Sequence, residues 1–267
     1  EEKVGKSIYH TAGVFYSQEP SAMCAAPLLK VEKGERVLDL CSAPGGKGTR
    51  LAADLEGEGF IVLNEPIPSR AKILLENVER MGITNAVVVC EYPPKLADKL
   101  PAYFDKIMVD APCSGEGMFR KNADEALTEW SEENVALCAK RQGEILACAT
   151  EMLAEGGKMV YSTCSFAPEE DEGQMQDYLA KNPSMVRLQE EKLYPHKVAG
   201  EGHYAALLYK NGGGRCEAKL FKAVCPPASA RVYRAFEKEC FDGYFARNLH
   251  EANGTLYALP EGMFDFK

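Results

Sequence analysis

The sequence predicts an α/β fold in which a mostly parallel β-sheet carries helices on both faces. Short apolar segments typical of buried strands alternate with helical patterns through most of the chain, and such an alternation builds a parallel sheet. The predicted strands cover residues 37–40, 60–63, 86–90, 107–109, 158–161 and 204–209. Because right-handed crossovers bring the carboxyl ends of these strands to one edge of the sheet, we expect ligands to bind at that edge.

Two helices between the strands have clear signals at their ends. The first is predicted over residues 69–81, with Ser69 as its N-cap and Gly82 at its carboxyl end. The second is predicted from Ser131 to Leu153, where a Glu-Gly-Gly sequence follows. Both helices are long enough to cover a face of the sheet.

The chain divides into three segments by sequence pattern. Residues 1–30 are expected to form an N-terminal flank that packs on the central domain, which covers residues 31–210. Residues 211–267 begin with Asn-Gly-Gly-Gly, a flexible joint, and continue with a helical pattern. We expect this last segment to be the beginning of a further module.

Composition excludes several classes of protein. The 267 residues include 31 Lys and Arg against 40 Asp and Glu, a net charge of −9, which argues against binding nucleic acid by overall electrostatics. The ten cysteines form no C-x-x-C pair and no close Cys/His cluster, so we expect no metal site and a reducing, cytoplasmic location. No apolar segment approaches the ~20 residues of a membrane span, and no signal peptide is visible.

The strongest local motif follows the first predicted strand. Residues 37–48 read VLDLCSAPGGKG, an apolar strand that enters a Gly-rich turn and opens a helix. Backbone N–H groups of such a turn can approach a ligand closely. The motif is not a P-loop, which needs Gly at the position of Cys41, and the spacing of Gly45, Gly46 and Gly48 does not match the dinucleotide fingerprint. A tight turn without a ligand is the alternative interpretation.

A carboxylate ends the second predicted strand. Asn64, Glu65 and Pro66 follow its apolar residues. A carboxylate at this position can accept hydrogen bonds from both hydroxyls of a ribose. Glu65 alone would be interpreted as a solvated charge, but together with the Gly-rich turn it favours a nucleoside site.

Two cysteines follow the ends of neighbouring strands. Asp110-Ala-Pro-Cys113 comes after the fourth predicted strand, and Ser162-Thr-Cys164 comes after the fifth. A single cysteine would be interpreted as a packing residue, whereas two at the ligand-binding edge indicate chemistry. A nucleophilic cysteine must be a thiolate, which a nearby cation favours, and Lys47 is the candidate cation.

These motifs together resemble the Sun-type RNA cytosine-C5 methyltransferases and, within them, the bacterial RsmF/YebU-like ribosomal RNA methyltransferases. The resemblance is carried by DLCSAPGGK at 39–47, DAPCSGEGMFRK at 110–121 and STCSFAPEEDE at 162–172, and it extends along almost the whole chain. It implies the Rossmann-like, doubly wound, seven-stranded sheet of class I S-adenosyl-L-methionine-dependent methyltransferases. In this interpretation residues 31–210 are the methyltransferase domain. Residues 211–267 are then the start of a truncated C-terminal module of the RNA-binding type, in a protein expected to be monomeric.

The resemblance also implies roles for individual residues. Cys164 is the nucleophile that adds to carbon 6 of a cytosine in RNA, and Cys113 is the thiol used in product release. Asp110 assists charge build-up at the ring nitrogen, and Lys47 polarises the base or holds Cys164 as a thiolate. The implied contacts with S-adenosyl-L-methionine are Cys41, Ser42, Ala43, Pro44, Gly45, Gly46, Lys47, Glu65, Arg70, Glu91 and Asp110. The sequence departs from the family pattern after the third strand, where Glu91 is the nearest carboxylate but Tyr92 occupies the aligned position.

Two other functions are compatible with the fold. The first is a non-catalytic ribosomal RNA-binding or assembly factor. The second is a methyltransferase for DNA or small molecules, but DNA cytosine enzymes use the Pro-Cys thiol and need no second one.

An acidic protein that binds RNA needs a local basic surface. We expect a groove beside the two thiols, with acidic residues segregated to 169–172 and the outer helices, and with stacking from Phe119 and Tyr9. Its basic residues would be Arg120, Lys121, Lys140, Arg141, His196, Lys197 and His203.

Overall fold

A seven-stranded sheet occupies the centre of the computed structural model, which describes residues 4–121, 123, 128, 130–243 and 248–265. The strands of this sheet are β1 Arg36–Asp39, β2 Phe60–Asn64, β3 Ala86–Val89, β4 Phe104–Asp110, β5 Leu153–Thr163, β6 Met185–Leu193 and β7 His203–Lys210. Their order is β3-β2-β1-β4-β5-β7-β6, parallel from β3 to β5, with β7 antiparallel to both of its neighbours. This topology confirms the predicted fold class.

The remaining elements surround or follow the sheet. The helices are α1 Ile8–Thr11, α2 Ala25–Leu28, α3 Gly46–Asp54, α4 Pro68–Arg80, α5 Pro93–Lys99, α6 Glu132–Met152, α7 Glu172–Lys181 and α8 Pro227–Cys240. Short 3-10 turns cover Val4–Lys6, Ser21–Cys24 and Glu116–Met118, and a separate antiparallel pair consists of β8 Asn248–Ala252 and β9 Thr255–Leu259. Among the described residues, no helix is long and apolar enough to cross a membrane.

The helix ends follow local sequence signals, with one exception. Ser131 caps α6 by accepting a hydrogen bond from the N–H of Asn134 at 3.0 Å, as predicted. Gly82 ends α4 in a left-handed conformation, φ 66°, which a side chain would disfavour. The predicted N-cap Ser69 is wrong, because α4 begins one residue earlier at Pro68, whose fixed φ suits the first helical position.

Strand β6 has no counterpart among the six predicted strands. It lies at the edge of the sheet, and its residues 186–191 are exposed on both faces. Edge strands commonly carry charged side chains, which prevent pairing with other chains. The segment therefore lacks the apolar pattern by which the other strands are recognised.

Both faces of the sheet are buried under helices. On one face, Leu38 and Ile107 pack in a cluster that includes residues of α5 and α6. On the other face, Val37 and Met108 pack in a cluster that includes residues of α2, α3 and α4. Consecutive strand residues point to opposite faces, so a strand buried on both sides is a continuous apolar run.

The sheet order brings three functional loops together. Strand β4 pairs with β1 on one side and with β5 on the other, so the carboxyl ends of these strands are adjacent. The register aligns Asp110 of β4 with Ser162 of β5. The loops that contain the two predicted catalytic cysteines therefore begin side by side. The division of the chain at residues 30 and 210 stays a prediction, and residues 1–3 and 266–267 of its flanks lie outside the described part.

Candidate active site

The Gly-rich turn after β1 is held by the buried side chain of Asp39. This carboxylate accepts a hydrogen bond of 2.8 Å from the hydroxyl of Ser42, and burial raises its pKa to about 7. Gly45 has a left-handed φ of 117° and leads into α3. A Cβ on Gly48 would lie 2.8 Å from Asp39 Oδ2 and 2.7 Å from Ser42 Oγ. Only glycine therefore lets α3 begin this close to the turn.

Asn64 ties the loops after β1, β2 and β3 to one another. Its backbone carbonyl accepts from Ser42 N–H at 2.8 Å, its Nδ2 donates to Leu40 O at 3.0 Å, and its Oδ1 accepts from Glu91 N–H at 3.2 Å. Asn64 is not among the predicted site residues. The sequence signal that could have marked it is a polar residue at the end of an apolar strand, and the structure shows this side chain to be fully buried.

Glu65 and Arg70 lie beside the Gly-rich turn. The Glu65 side chain is only 2% exposed, and its Oε1 accepts a hydrogen bond from Ile67 N–H at 3.0 Å. Arg70 lies 3.5 Å from Glu65 Oε2 and donates to Ala43 O at 3.1 Å. The structure thus brings these predicted cofactor residues together across two loops.

Glu91 lies at the margin of this group. Its backbone N–H is hydrogen-bonded to Asn64, but its carboxylate forms an ion pair with Lys95 of α5. The neighbouring Tyr92 side chain is exposed. The loop after β3 is therefore near the loops after β1 and β2, while the Glu91 carboxylate pairs with a lysine of α5, the helix that follows it.

The four predicted catalytic residues meet at the ends of α3, β4 and β5. Lys47 Nζ lies 2.8 Å from Asp110 Oδ2, and Asp110 Oδ1 accepts from Ser162 Oγ at 2.7 Å. The sulfur atoms of Cys113 and Cys164 are 3.2 Å apart, within hydrogen-bond distance for thiols. All ten cysteines are free, so the pair is not a disulfide.

The ion pair fixes the charges of Lys47 and Asp110. Burial by itself would raise the pKa of Asp110, but the Lys47 cation, His203 and the Ser162 hydroxyl together hold it below its usual range. Burial likewise opposes the charge on Lys47, yet the Asp110 carboxylate raises the pKa of Lys47 above its usual range. Both groups are therefore charged at neutral pH.

The two thiols have opposite pKa shifts. The hydrogen bond with Cys113 lowers the pKa of Cys164 below its usual range. Burial and the Asp110 carboxylate oppose this shift, and the Lys47 cation supports it. The same hydrogen bond and burial raise the pKa of Cys113 well above its usual range. The thiolate therefore forms on Cys164 and the proton stays on Cys113. Because the thiolate is the reactive form of cysteine, the geometry suits Cys164 to nucleophilic attack.

A buried carboxylate positions the two thiol loops. Glu170 accepts hydrogen bonds from the N–H of Ser114 at 3.0 Å, the hydroxyl of Ser165 at 2.9 Å and the amide of Gln142 at 2.7 Å. Ser114 follows Cys113 and Ser165 follows Cys164, so one side chain ties both loops to α6. Gln142 also donates to Pro112 O at 3.0 Å.

This burial corrects the expected acidic surface at residues 169–172. Glu170 and Asp171 are fully buried, and only Glu169 and Glu172 are exposed. Asp171 accepts from the hydroxyl of Thr163 at 2.6 Å and pairs with Lys192 at 2.9 Å. A run of carboxylates in a sequence is typical of a solvated surface. The prediction failed here because the partners that let Glu170 and Asp171 be buried lie on other elements, which the local sequence does not show.

A cavity of about 190 Å³ opens beside the ion pair and the Cys164 thiol. Lys47, Asp110 and Cys164 line it. The rest of the lining is Glu19, Ala22, Ala111, Gly117, Met118, Glu201, Gly202 and His203. The N-terminal flank therefore closes one side of the cavity.

His203 is not part of a basic groove, contrary to the expectation. It is the first residue of β7 and only 2% exposed. Burial, followed by the Lys47 cation, lowers its pKa to about 4, so the imidazole is uncharged at neutral pH. The other cations expected there, Arg120, Lys121, Lys140, Arg141, His196 and Lys197, are on the surface.

A family model described as 16S rRNA methyltransferase RsmB/F matches residues 26–209. The chain belongs to the RsmB/F family. This confirms the predicted resemblance and, at the level of the family, its cofactor, because these enzymes are S-adenosyl-L-methionine-dependent methyltransferases.

Individual relatives agree with the family match. Ribosomal RNA small subunit methyltransferase F of Aliivibrio fischeri (strain MJ11) is 35% identical over 259 residues, which cover 89% of this chain and 54% of the relative. The protein of the same name from Serratia proteamaculans (strain 568) is 39% identical over 191 residues, which cover 71% of this chain and 40% of the relative. This RsmB/F family chain thus spans about half the length of the curated relatives that it matches.

A solved structure shares the fold. The crystal structure of NSun6 from Pyrococcus horikoshii with SFG has a TM-score of 0.71 and 28% sequence identity to this chain. The match covers 79% of this chain and 56% of that one. In this RsmB/F chain, the residues that the family model matches include the loops that contain Cys113 and Cys164 and nearly the whole seven-stranded sheet.

We expect Cys164 to react with iodoacetamide at a lower pH than an ordinary cysteine, because its pKa is lowered. Replacing Lys47 with Met removes the cation, so the pKa of Cys164 rises and its pH–rate profile moves to higher pH. The measurement is peptide mass spectrometry after timed alkylation between about pH 6 and pH 10, a range that spans the usual cysteine pKa. The exposed Cys216 serves as the internal control. An unchanged Cys164 profile in K47M would contradict the assigned electrostatics.

Proposed function

We propose that this chain methylates carbon 5 of a cytosine in small-subunit ribosomal RNA through a covalent bond between Cys164 and carbon 6. The observation that carries the proposal is the pair of sulfur atoms 3.2 Å apart, with a lowered pKa on Cys164 and a raised pKa on Cys113. The names of the relatives, ribosomal RNA small subunit methyltransferase F, support the substrate class. Free thiols throughout the chain fit a cytoplasmic location.

The two thiols divide the chemistry between them. Carbon 5 of cytosine is a poor nucleophile until the Cys164 thiolate adds to carbon 6 and places electron density on carbon 5. S-adenosyl-L-methionine supplies the methyl group that carbon 5 then takes up. The carbon 5 proton passes to solvent water, its bonding electrons re-form the carbon 5–carbon 6 double bond, and the sulfur–carbon 6 bond breaks, which restores the ring. Cys113 keeps its proton beside Cys164, so it can protonate the departing thiolate.

The buried ion pair would act on the base itself. Addition at carbon 6 raises negative charge in the ring, and a charged group in a site closed to water stabilises that charge strongly. Lys47 and Asp110 both line the cavity next to Cys164. Lys47 would hold the thiolate and the base, while Asp110 would hydrogen-bond the polar edge of the ring.

The loops at the end of the sheet fit the proposed cofactor. Asp39 Oδ1 is buried and has no hydrogen-bond partner among the described residues, which suits a cationic group of a ligand at the Gly-rich turn. The Glu65 carboxylate has lone pairs beyond those used by Ile67 N–H, and these fit two ribose hydroxyls. Cys41, Ser42, Ala43, Pro44, Gly45, Gly46 and Lys47 would surround the methionine part. Arg70 and Glu91 lie on the nucleoside side.

We expect Glu65→Ala to weaken S-adenosyl-L-methionine binding at least about tenfold, because hydrogen bonds to a charged acceptor would be lost. Calorimetric titration of the purified chain measures the affinity. Glu76→Ala, which removes an exposed carboxylate of α4, is the matched control and should bind normally. Equal affinity in the Glu65 and Glu76 variants, with both folded by circular dichroism, would refute the ribose assignment.

The roles of the thiols predict opposite phenotypes. Cys164→Ala should abolish methyl transfer and form no covalent adduct, because the nucleophile is absent. Cys113→Ala should leave the adduct formed but slow its release, so a protein–RNA band accumulates on a denaturing gel. If the phenotypes were exchanged, the assignment would be wrong. If the wild-type chain and both variants gave neither methylation nor adduct, a non-catalytic RNA-binding factor would be favoured.

RNA would be held by a local basic surface near the cavity. Arg120 lies 3.3 Å from Glu201 of the cavity wall, is 63% exposed, and is followed by the exposed Lys121. Both follow the Cys113 loop, so phosphate contacts there would bring RNA to the cavity. The aromatic ring of Phe119 packs edge-on against Trp130, whereas Tyr9 is exposed and available for stacking.

We expect Arg120→Glu combined with Lys121→Glu to weaken RNA binding and to reduce its salt slope by roughly two, because two phosphate contacts are lost. Filter binding to a small-subunit ribosomal RNA transcript at several salt concentrations measures both quantities. The control is Lys33→Glu with Lys99→Glu, two exposed cations before β1 and β4, at the opposite end of the strands. Equal loss in both double variants would show that overall charge, rather than this surface, controls binding.

A further inference from the structure

The imidazole of His203 is a buried polar group without a hydrogen-bond partner among the described residues. Neither Nδ1 nor Nε2 is hydrogen-bonded, although the side chain is only 2% exposed. Buried polar atoms are normally paired, and leaving one unpaired is destabilising. A side chain kept in this state fits a group that a ligand completes.

His203 faces the same cavity as the catalytic groups. It lines the space of about 190 Å³ together with Lys47, Asp110 and Cys164. Its Nε2 lies 3.7 Å from Asp110 Oδ1, which is too far for a hydrogen bond. The carboxylate therefore orients the ring electrostatically but does not satisfy it.

The backbone around His203 holds the ring in place. Gly202 has a left-handed φ of 105°, and a Cβ there would lie 2.3 Å from the ring of Phe166. The N–H of Gly202 donates to Ser21 Oγ at 3.0 Å, and His203 itself pairs with Leu193 of β6. The backbone that carries the imidazole is thus held by the N-terminal flank on one side and by the edge strand on the other.

The His203 ring is uncharged at neutral pH. Burial and then the Lys47 cation lower the pKa of His203 to about 4, while the Asp110 and Glu19 carboxylates oppose this more weakly. A neutral imidazole has one N–H donor and one lone pair. The Asp110 carboxylate 3.7 Å from Nε2 favours the tautomer that is protonated there, which leaves the Nδ1 lone pair to accept a hydrogen bond from an amino group of a ligand.

We propose that His203 hydrogen-bonds the polar edge of the target pyrimidine and so contributes to the selection of cytosine over uracil. This inference rests on the proposed function. Cytosine has an amino group where uracil has a carbonyl oxygen, so the two bases differ in donor and acceptor pattern. A site built around a hydrogen bond strongly rejects an analogue that cannot complete it. His203 is then a specificity residue beside the thiol and the ion pair.

The test compares variants that keep or remove the hydrogen-bonding atoms. His203→Phe keeps an aromatic ring without polar atoms, His203→Asn places an amide near the Nδ1 position, and His203→Gln places one near Nε2. Each purified chain is given unmodified small-subunit ribosomal RNA transcript and S-adenosyl-L-methionine with a tritiated methyl group. Nucleoside chromatography then separates labelled 5-methylcytidine from 5-methyluridine. His10→Phe is the matched control, since that ring packs against Phe15 outside the cavity.

We expect His203→Phe to lower kcat/KM for the RNA about tenfold, the effect of one lost hydrogen bond, and to raise the share of 5-methyluridine. One amide variant should recover most of both properties, and cofactor affinity should be unchanged in all of them. A Phe variant with wild-type rate and base choice would overturn the inference while leaving the proposed function intact. The inference would also be overturned if the Asn and Gln variants were as impaired as the Phe variant and bound the cofactor more weakly, because that pattern indicates a structural role for His203. A wild-type chain that forms no 5-methylcytidine would overturn the proposed function and this inference with it.

Discussion

The buried ion pair between Lys47 and Asp110 is the interaction on which the site depends. Lys47 Nζ and Asp110 Oδ2 lie 2.8 Å apart, with the lysine buried and the carboxylate half-buried, and each charge stabilises the other. The same lysine lowers the pKa values of Cys164 and His203. The contact thus keeps Lys47 and Asp110 charged, and its lysine favours a thiolate on Cys164 and an uncharged imidazole on His203. It also joins the first turn of α3 to the end of β4.

The loops around this ion pair are neither helix nor strand. Buried side chains therefore supply the hydrogen bonds that the backbone of a helix or a strand would otherwise make. Glu170 joins the Cys113 and Cys164 loops to α6, and Asn64 joins the three loops on the cofactor side. Their bonds are mostly to backbone groups and hydroxyls of other loops. Such networks are stabilising only when every member is satisfied, which ties the position of each thiol to residues far from it in sequence.

The cavity combines parts of the chain that are distant in sequence. Its walls come from the N-terminal flank, the turn after β1, the two thiol loops and the start of β7. Glu19 of the flank accepts from Glu201 N–H at 2.8 Å, and Gly202 N–H donates to Ser21, so the flank is bonded directly to the segment before β7. A space of this kind selects a ligand by shape and by polar atoms, which suits a single base better than an extended RNA surface.

Sequence alone determined the fold class and most of the residues that gather at the carboxyl ends of the strands. This was possible because Asp39, Glu65, Asp110 and Cys164 end strands or follow them directly, and local pattern predicts strand ends. The tertiary structure alone decided that the two thiols are adjacent, that Glu170 and Asp171 are buried, and that burial lowers the pKa of His203. Those properties depend on burial and on partners brought from other elements. The exposed edge strand β6 escaped prediction for the same reason, since only its pairing with β7 identifies it as a strand.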